Sequence, residues 1–260
     1  MNPVIETILN RKSMRAYEPK AVPPDVRAEL LRATLRAPTA GNLMLYSIVE
    51  VNDQAIKDQL VKTCDDQPFI ARAPLVWLFL ADYQRWFDYF TACGVPQMCQ
   101  EQKTRMRKPG EGDHFLACCD ALIAAQTAVI AADALGLGSC YIGDIMENYE
   151  AHRELFALPQ YVFPICLVCF GYPTQQQIDR PQTTRFDEKF VLFENQYKQL
   201  GAQEFEEMFR TTHEQDFHGR AQVMGVPNVG QLIYKRKFSA DFSKEMTRSV
   251  KEIMKRWLDE

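Results

Sequence analysis

Apolar and polar residues alternate along this chain with two spacings, one typical of helices and one typical of strands. Val26, Leu30 and Leu35 share one face of a helix that begins near Pro23. The run Pro74–Ala81 is continuously apolar and of strand length, which predicts a strand covered on both faces. The same patterns predict helices at Pro3–Leu9, Gln54–Lys62, Glu150–Phe156 and from Asp241 onward, and strands at Tyr46–Val51, 161–170 and Phe190–Phe193.

The longest apolar run, Phe115–Leu137, is rich in alanine and is interrupted by polar residues such as Asp120. We interpret it as a buried helix, and not as a membrane span, that is capped by Gly136 or Gly138. The chain before it changes character over residues 87–113, and the stretch from Gln97 is polar and charged. This stretch predicts a mobile lid.

These elements indicate an α+β protein with one sheet between helices. Residues 1–200 are expected to form one domain that includes the excursion at 87–113, and residues 201–260 a helical extension. Five apolar residues give the last predicted helix an apolar stripe: Phe242, Met246, Val250, Ile253 and Trp257. The extension packs either on its own domain, which we favour, or on a partner subunit.

Composition and charge narrow the class of protein. The formal net charge of −4 and the hydrophobic content of 47% indicate a globular protein without the basic footprint of a nucleic-acid binder. The first residues lack a basic segment followed by an apolar one, so they do not predict a signal peptide. We therefore expect a cytoplasmic protein that binds neither nucleic acid nor membrane.

Eight cysteines invite a metal or disulfide interpretation, and both are weak. Cys166 and Cys169 have metal-like spacing, but they lie in an apolar run of strand type. Residues three apart on a strand point to opposite faces, so these two sulfur atoms are expected to diverge. Reduced core thiols and no metal site are the prediction.

The first candidate site is the basic segment at Arg11, Lys12, Ser13 and Arg15, just after the first predicted helix. Three cations and a hydroxyl group at a helix end can converge on a phosphate, and arginine suits a phosphate monoester. The alternative is a solvated basic turn that caps the preceding helix.

The second candidate is the glycine-rich segment that follows the long helix, Gly136–Gly143. Its spacing is not that of a dinucleotide-binding turn, and it follows a helix and not a strand. It is either a loop that lets a flat ring approach the backbone or a glycine cap that leads into a strand. One end for a phosphate and one end for a ring match flavin mononucleotide (FMN), which favours a redox enzyme.

Weaker candidates lie elsewhere in the chain. The small polar loop at Pro38–Asn42 could hydrogen-bond the edge of a ring through Thr39 and Asn42, or be a simple turn. Gln67 precedes a buried strand, and Arg185 is an isolated cation in a polar linker. Motifs for a serine nucleophile, a zinc protease or a P-loop are absent from the sequence, so a bound cofactor is expected to carry the chemistry.

Taken together, these segments resemble the FMN-dependent nitroreductase family, specifically its oxygen-insensitive nitroreductase and flavin reductase branch. The resemblance covers roughly residues 1–200 in consistent order. Its motifs are Arg11-Lys-Ser-x-Arg15-x-Tyr17, Pro38-Thr-Ala-Gly-Asn42, Gln67, Gly136-Leu-Gly-x-x-Tyr-Ile-Gly143, Gly171-Tyr-Pro173, Arg185 and Phe193-Glu-Asn-Gln-Tyr197.

The resemblance implies a nitroreductase-like α+β fold, with a central, mostly antiparallel sheet flanked by helices, in an intertwined homodimer with FMN at the interface. By position, a first group of residues would hold the phosphate and the ring edge: Arg11, Lys12, Ser13, Arg15 and Arg185. A second group would come from the partner subunit: Thr39, with Pro38, Ala40 and Asn42. A third group would bind or line the ring: Gln67, Tyr141, Ile142, Gly143 and Asp144.

The family transfers a hydride from NADH or NADPH to FMN, and then to a nitroaromatic, quinone or flavin acceptor, by a ping-pong mechanism. The alternatives are a specialised flavin-processing or dehalogenating member, or a flavin-binding or delivery protein with incidental turnover. The sequence departs from the family pattern at Lys12, where histidine or arginine is common, and at Thr183, where lysine is common. Residues 93–113 and those after about 205 do not align with the family pattern.

Overall fold

The computed structural model describes residues 1–212 and 225–259 of the chain. Contacts within the chain divide it into two compact units. The first unit consists of Met1–Arg180 together with Glu245–Glu260, and the second of Pro181–Lys244. The sheet and the basic segment belong to the first unit.

In chain order, the first unit contains these helices and strands up to Arg180: α1 Pro3–Asn10, α2 Pro24–Thr34, β1 Tyr46–Glu50, α3 Gln54–Thr63, α4 Phe69–Arg72, β2 Leu75–Asp82, α5 Gln84–Ala92, α6 Val95–Glu101, α7 Glu111–Ala134, β3 Gly138–Ile142, α8 Tyr149–Leu155, β4 Val162–Gly171 and α9 Gln175–Asp179. Short 3₁₀ turns lie at Ala40–Asn42 and Asp144–Met146. Next come a 3₁₀ turn at Glu188–Phe190, α10 Ala202–Thr212, α11 Val229–Ile233, a π-helical turn at Tyr234–Phe238, and α12 Asp241–Leu258.

The four strands form one antiparallel sheet in the order β1-β2-β4-β3. All eight residues of β2 are buried, as the continuous apolar run predicts for a strand covered on both faces. Successive side chains of β2 point to opposite faces, so Trp77 and Phe79 lie in one core cluster and Val76 and Leu78 in another. The predicted α+β fold with an antiparallel sheet between helices is confirmed.

Helix α7 covers one face of the sheet. Its alanines at helical spacing, including Ala121, Ala124, Ala125 and Ala128, are fully buried and join the cluster around Trp77. Their small side chains allow the helix to lie close to the strands. The helix has the length and hydropathy of a membrane span, but its alanine face is buried in the core cluster around Trp77.

The end of α7 shows which of the two candidate glycines caps the helix. Gly136 adopts a φ of +75°, and its N–H donates to the carbonyl of Asp133 over 3.1 Å. The N–H of Leu137 donates to the carbonyl of Ala132 over 2.8 Å, which completes a Schellman motif. Gly138 is already the first residue of β3.

Three sequence expectations can be compared with the structure. The stretch predicted as a lid contains the helix Val95–Glu101 and ends where α7 begins at Glu111, and its role as a lid stays a prediction. Of the two interpretations of the glycine-rich segment, the glycine cap that leads into a strand is confirmed, because Gly136 caps α7 and Gly138–Ile142 pairs with β4. The predicted strand at Phe190–Phe193 is absent from the described residues, and a 3₁₀ turn ends at Phe190 instead.

Helix α12 returns to the first unit from Glu245 onward. Ile253 and Trp257 are buried in that unit, and the Trp257 indole N–H donates to the Gly110 carbonyl over 3.1 Å. The ring of Trp257 lies 4.8 Å from that of His114, centroid to centroid. These residues of the predicted stripe therefore pack in the core of their own chain.

Candidate functional site

The basic segment forms an extended edge beside β3. The N–H of Met14 donates to the Ser139 carbonyl over 2.8 Å, and Ser13 pairs with Ser139 in a parallel bridge. A Cβ atom on Gly138 would lie 2.6 Å from the Met14 Cγ atom, so this close approach requires glycine. The segment is thereby fixed against the first residues of β3.

Three guanidinium groups converge on the start of β3. Burial raises the pKa of the Cys140 thiol, and the positive charges of Arg15, Arg11 and Arg180 oppose that rise. All three side chains therefore lie within electrostatic range of one sulfur atom. Among the described residues, Arg11 and Arg15 form no ion pair with an acid, so their charge is available to an anion.

Arg11 also lies near the C-terminal end of α7. Burial raises the pKa of Asp133 in the last turn of α7, and Arg11 opposes this effect. Burial likewise raises the pKa of the Tyr141 hydroxyl group, again opposed by Arg11. Cations are favourable at a helix C-terminus, so this placement agrees with the helix-capping alternative as well as with the phosphate interpretation.

Hydrogen bonds of Lys12 and Arg180 connect the basic segment to the end of α9. The Lys12 ammonium donates to the Arg180 carbonyl over 2.7 Å and to the Ile178 carbonyl, and the Arg180 guanidinium donates to the Ser13 carbonyl. Lys12 is therefore occupied by backbone carbonyls, unlike Arg11. Sequence reasoning missed Arg180, although it is the only cation between Gly171 and Arg185.

Gln67 and Asp144 are brought together although they are 77 positions apart. The Gln67 amide nitrogen donates to the Asp144 carboxylate over 2.6 Å and to the Cys64 carbonyl over 2.9 Å. Asp144 also contributes to the raised pKa of Cys140, so it lies near the same thiol as the three guanidinium groups. Ring and phosphate candidates of one chain therefore lie near the same β3 residue, Cys140.

The remaining residues of the glycine-rich segment lie on β3 and in the turn after it. The side chain of Ile142 is buried on the α3 face of the sheet, which leaves only its backbone for a ligand. Tyr141 is half-buried on the α7 face, and its hydroxyl group donates to the Gln126 amide oxygen over 3.3 Å. Gly143 precedes the 3₁₀ turn that begins at Asp144.

The loop at Pro38–Asn42 is held by a different part of α7. The buried carboxylate of Asp120 accepts hydrogen bonds from the N–H groups of Ala40 and Leu45, over 2.9 and 3.0 Å. Gly41 and Asn42 both have positive φ values, +55° and +57°. Sequence reasoning treated Asp120 only as an interruption of the apolar run, and the acid in an alanine-rich helix was the available signal.

The two candidate regions therefore belong to different turns of α7. Asp120 holds the Pro38–Asn42 loop, and Asp133 lies near Arg11. Thirteen residues of helix separate these two acids along the axis by about 20 Å. In the described residues of one chain, no hydrogen bond or ion pair joins the loop to the basic segment.

Arg185 lies in the second unit. Its guanidinium donates to the Thr183 hydroxyl group over 2.7 Å, so the two linker positions compared with the family pattern contact each other. Within this unit, a cleft of about 770 Å³ is lined by Arg185, Lys189 and Arg210 together with aromatic and aliphatic side chains. A role of Arg185 in binding the phosphate stays a prediction.

The cysteines are reduced in the structure, and Cys166 and Cys169 lie in core clusters on opposite faces of the sheet. This is the divergence that strand geometry predicts. Burial raises the pKa values of both thiols, so neither is an activated nucleophile.

Comparison with known proteins identifies the family. The family model described as "Nitroreductase family" matches residues 8–172, and the chain therefore belongs to the nitroreductase family, as the motifs predict. The oxygen-insensitive NADPH nitroreductase of Salmonella typhimurium is 30% identical over 200 residues, covering 77% of each chain. The FMN reductase (NADPH) of Bacillus subtilis is 29% identical over 199 residues, covering 76% of this chain and 75% of its own.

A solved structure extends the likeness in fold to the whole chain. Nitroreductase A from Vibrio parahaemolyticus superposes with a TM-score of 0.80, covering 98% of both chains at 24% sequence identity. At this level of identity the superposition shows a common fold, including the part of the chain that follows the family match.

Proposed function

We propose that this protein is an NAD(P)H-dependent FMN oxidoreductase that reduces nitroaromatic, quinone or flavin acceptors in the cytoplasm by a ping-pong mechanism. The observation that carries the proposal is the convergence of three guanidinium groups and the Gln67–Asp144 pair around Cys140. This arrangement supplies cations for a phosphate beside an amide for a heteroaromatic ring. The relatives named as an NADPH nitroreductase and an FMN reductase support the same function.

The donor set fits the phosphate end of FMN. Arg11 and Arg15 carry charge that no acid in the described residues neutralises, and Ser13 adds a hydroxyl group between them. Arginine binds a phosphate monoester by charge-assisted, bidentate hydrogen bonds. Arg180 holds the backbone of this segment in place, and we propose that Arg185 completes the phosphate site with Lys12 as a supporting residue.

The donor set also fits the ring end. Gln67 presents an amide to a ring edge, and the backbone of Tyr141–Asp144 is proposed to line the ring face. When bound, FMN supplies the hydride acceptance and donation that the chain's own side chains lack. The protein binds and orients the group, and its cations stabilise negative charge at the site.

A second copy of the chain is proposed to complete the site. Helix α7 exposes an apolar stripe at Phe115, Leu116, Leu122 and Ile123, and α1 exposes Val4, Ile5, Ile8 and Leu9. Exposed apolar residues in such numbers are typical of a protein interface. Since the Pro38–Asn42 loop lies about 20 Å along α7 from the basic end, we infer that the loop meets the basic segment of the partner in a homodimer.

The test is the visible spectrum of the purified protein, followed by anaerobic addition of NADH and, separately, NADPH. We expect a flavin spectrum that bleaches rapidly with a nicotinamide donor and recovers when a quinone or nitroaromatic is added. A bound flavin that stays oxidised with both donors would contradict the oxidoreductase and leave a flavin-binding protein. A protein that neither contains nor takes up FMN would overturn the whole proposal.

A further inference from the structure

The amide of Gln67 has one orientation that its neighbours permit. Its nitrogen lies 2.6 Å from the Asp144 carboxylate and 2.9 Å from the Cys64 carbonyl oxygen. Both of these partners are acceptors, so the NH₂ group must face them and the amide oxygen must point away. Among the described residues, no donor reaches the Gln67 amide oxygen. Gln67 therefore presents a free acceptor.

Asp144 fixes this orientation, and a second acid, Glu147, lies next to it. Glu147 follows the 3₁₀ turn that Asp144 begins, and only 5% of its surface is exposed. Its Oε1 atom is buried without a hydrogen-bond partner among the described residues, and no cation there pairs with it. A buried carboxylate without a cation is costly, so the neutral acid is the stable form.

The groups that face Glu147 come from three parts of the first unit, and all are acidic. Asp144 lies on the same turn, Asp65 follows α3, and Glu245 belongs to α12. Glu245 is already held by Arg248 and by the N–H group of Asn148. Burial, followed by Asp144, raises the pKa of Glu147 to about 8. Near neutral pH, Glu147 therefore carries a proton and can donate it in a hydrogen bond.

We propose that Glu147 is a positioning residue, whose protonated carboxyl group donates to Asp144 and so fixes the Gln67 amide oxygen as an acceptor for the imide N–H of the FMN ring. The inference rests on the proposed function, because it requires that FMN binds beside Gln67. Oxidised flavin has a single imide N–H between two carbonyl groups, which matches one fixed acceptor. The pair Asp144–Glu147 thereby makes the site prefer a ring that offers an N–H donor to Gln67 over a ring that offers an acceptor there.

Loss of the proton should weaken this selection. Above about pH 8, Glu147 becomes an anion beside Asp144, and Asp65 and Glu245 add to the repulsion. We expect this repulsion to move the Asp144 carboxylate out of its place beside Gln67, so that the Cys64 carbonyl alone then holds the amide nitrogen. The preference of the site for an imide N–H should be complete below about pH 7 and should decline as the pH rises through about 8.

The experiment compares two probes, FMN and its N3-methyl derivative, which lacks the imide proton. Each is titrated into the apoprotein, and binding is followed by the change in flavin fluorescence from about pH 6 to about pH 9.5. The wild-type protein should bind FMN about tenfold more tightly than the methylated probe at low pH, because the methyl group leaves the Gln67 oxygen unpaired. At high pH this ratio should fall to about two.

Three variants separate positioning from a general structural role. Glu147→Gln keeps a neutral donor towards Asp144, so its preference for FMN should stay near tenfold at every pH. Gln67→Ala should show no preference at any pH. The matched control is Glu154→Gln, an exposed residue of α8 whose variant should reproduce the wild-type pH profile.

Each outcome decides one of the two proposals. A wild-type preference that is absent, or that does not change with pH, overturns this inference even when FMN binds and turnover is normal. The same holds if Glu147→Gln, folded by circular dichroism, keeps the wild-type pH dependence. Failure of the wild-type protein to bind either flavin would instead overturn the proposed function.

Discussion

Two regions of α7, its C-terminal end near Asp133 and its middle near Asp120, contact the rest of the chain in different ways. Near Asp133, the helix end meets a basic segment in which Arg11 and Arg15 keep their charge unpaired among the described residues. Near Asp120, the helix meets a loop whose backbone N–H groups donate hydrogen bonds to a buried carboxylate. The first region can attract an anion, and the second holds the backbone of the Pro38–Asn42 loop. Since about 20 Å of helix separates the two acids, one chain does not join these two regions.

The largest expected effect separates the Pro38–Asn42 loop of one subunit from the basic segment of the other. Leu122→Glu places a carboxylate on the exposed apolar face of α7, where the proposed dimer would bury it. A buried unpaired charge should weaken the dimer by about 3 kcal/mol or more, roughly a hundredfold in the dissociation constant. Analytical ultracentrifugation measures the shift.

The matched control is Met98→Glu, which adds the same charge to an exposed apolar residue of α6. It should leave the dissociation constant close to the wild-type value. If Leu122→Glu sediments as the wild-type protein does, the α7 face is not the interface.

The next effect concerns the Pro38–Asn42 loop and the Asp120 carboxylate that holds it. Asp120→Ala leaves the N–H groups of Ala40 and Leu45 without their acceptor, which should cost about 3 kcal/mol of unfolding free energy. Asp120→Asn keeps one acceptor oxygen and should cost about half as much. Urea denaturation at constant protein concentration measures both, and equal losses for the two variants would argue against the carboxylate bridge.

The third effect concerns the basic segment after α1. Arg15→Ala removes an exposed, unpaired guanidinium group, so unfolding free energy should change by less than about 0.5 kcal/mol. The affinity for FMN should fall by roughly thirtyfold, about 2 kcal/mol, because a charge-assisted phosphate contact is lost. Arg32→Ala, an exposed arginine of α2, is the control and should bind FMN normally. Unchanged binding by Arg15→Ala would overturn the phosphate assignment.

The smallest effect depends on pH and tests the buried acid behind Asp144. The pKa of Glu147 is raised from 4.5 to about 8 in the folded protein, so the unfolded chain loses this proton first as the pH rises. Glu147 therefore costs stability increasingly between about pH 4.5 and about pH 8. Glu147→Gln should remove that cost, so the unfolding free energy should rise more at about pH 8 than at about pH 4.5, where little change is expected. Thermal melts at the two pH values measure the difference, and equal shifts at both would contradict the protonated acid.

The sequence was sufficient to predict those elements whose structure follows from a local pattern of residues. The unbroken apolar run of β2 and the alternation of Cys166 and Cys169 follow from strand geometry alone. The alanine-rich run gives α7, because helical spacing and a glycine cap are local signals.

The sequence was not sufficient where the role of a residue depends on distant packing. Gly138 was one of two candidate caps of α7, whereas the structure places it in β3 and requires glycine there for the approach of Met14. Arg180 holds the backbone of Ser13, which lies 167 positions away, and no local pattern indicates that contact. The same applies to Glu147, whose protonation is set by acids from three separate segments.

The central claim is that the basic segment of one subunit and the Pro38–Asn42 loop of the other complete one site. Its most direct test is subunit mixing. Arg15→Ala removes one phosphate-binding guanidinium group from the basic segment. Asn42→Ala removes the amide that the Pro38–Asn42 loop is proposed to offer to the ring. Each homodimer carries one lesion in both of its sites and should bind FMN weakly. In a mixed dimer, one site carries both lesions and the other carries none, so about a quarter of all sites should regain wild-type affinity after equal mixing. Calorimetric titration of the mixture with FMN should show that tight class of sites. A mixture that binds only as weakly as its two parents would contradict the account.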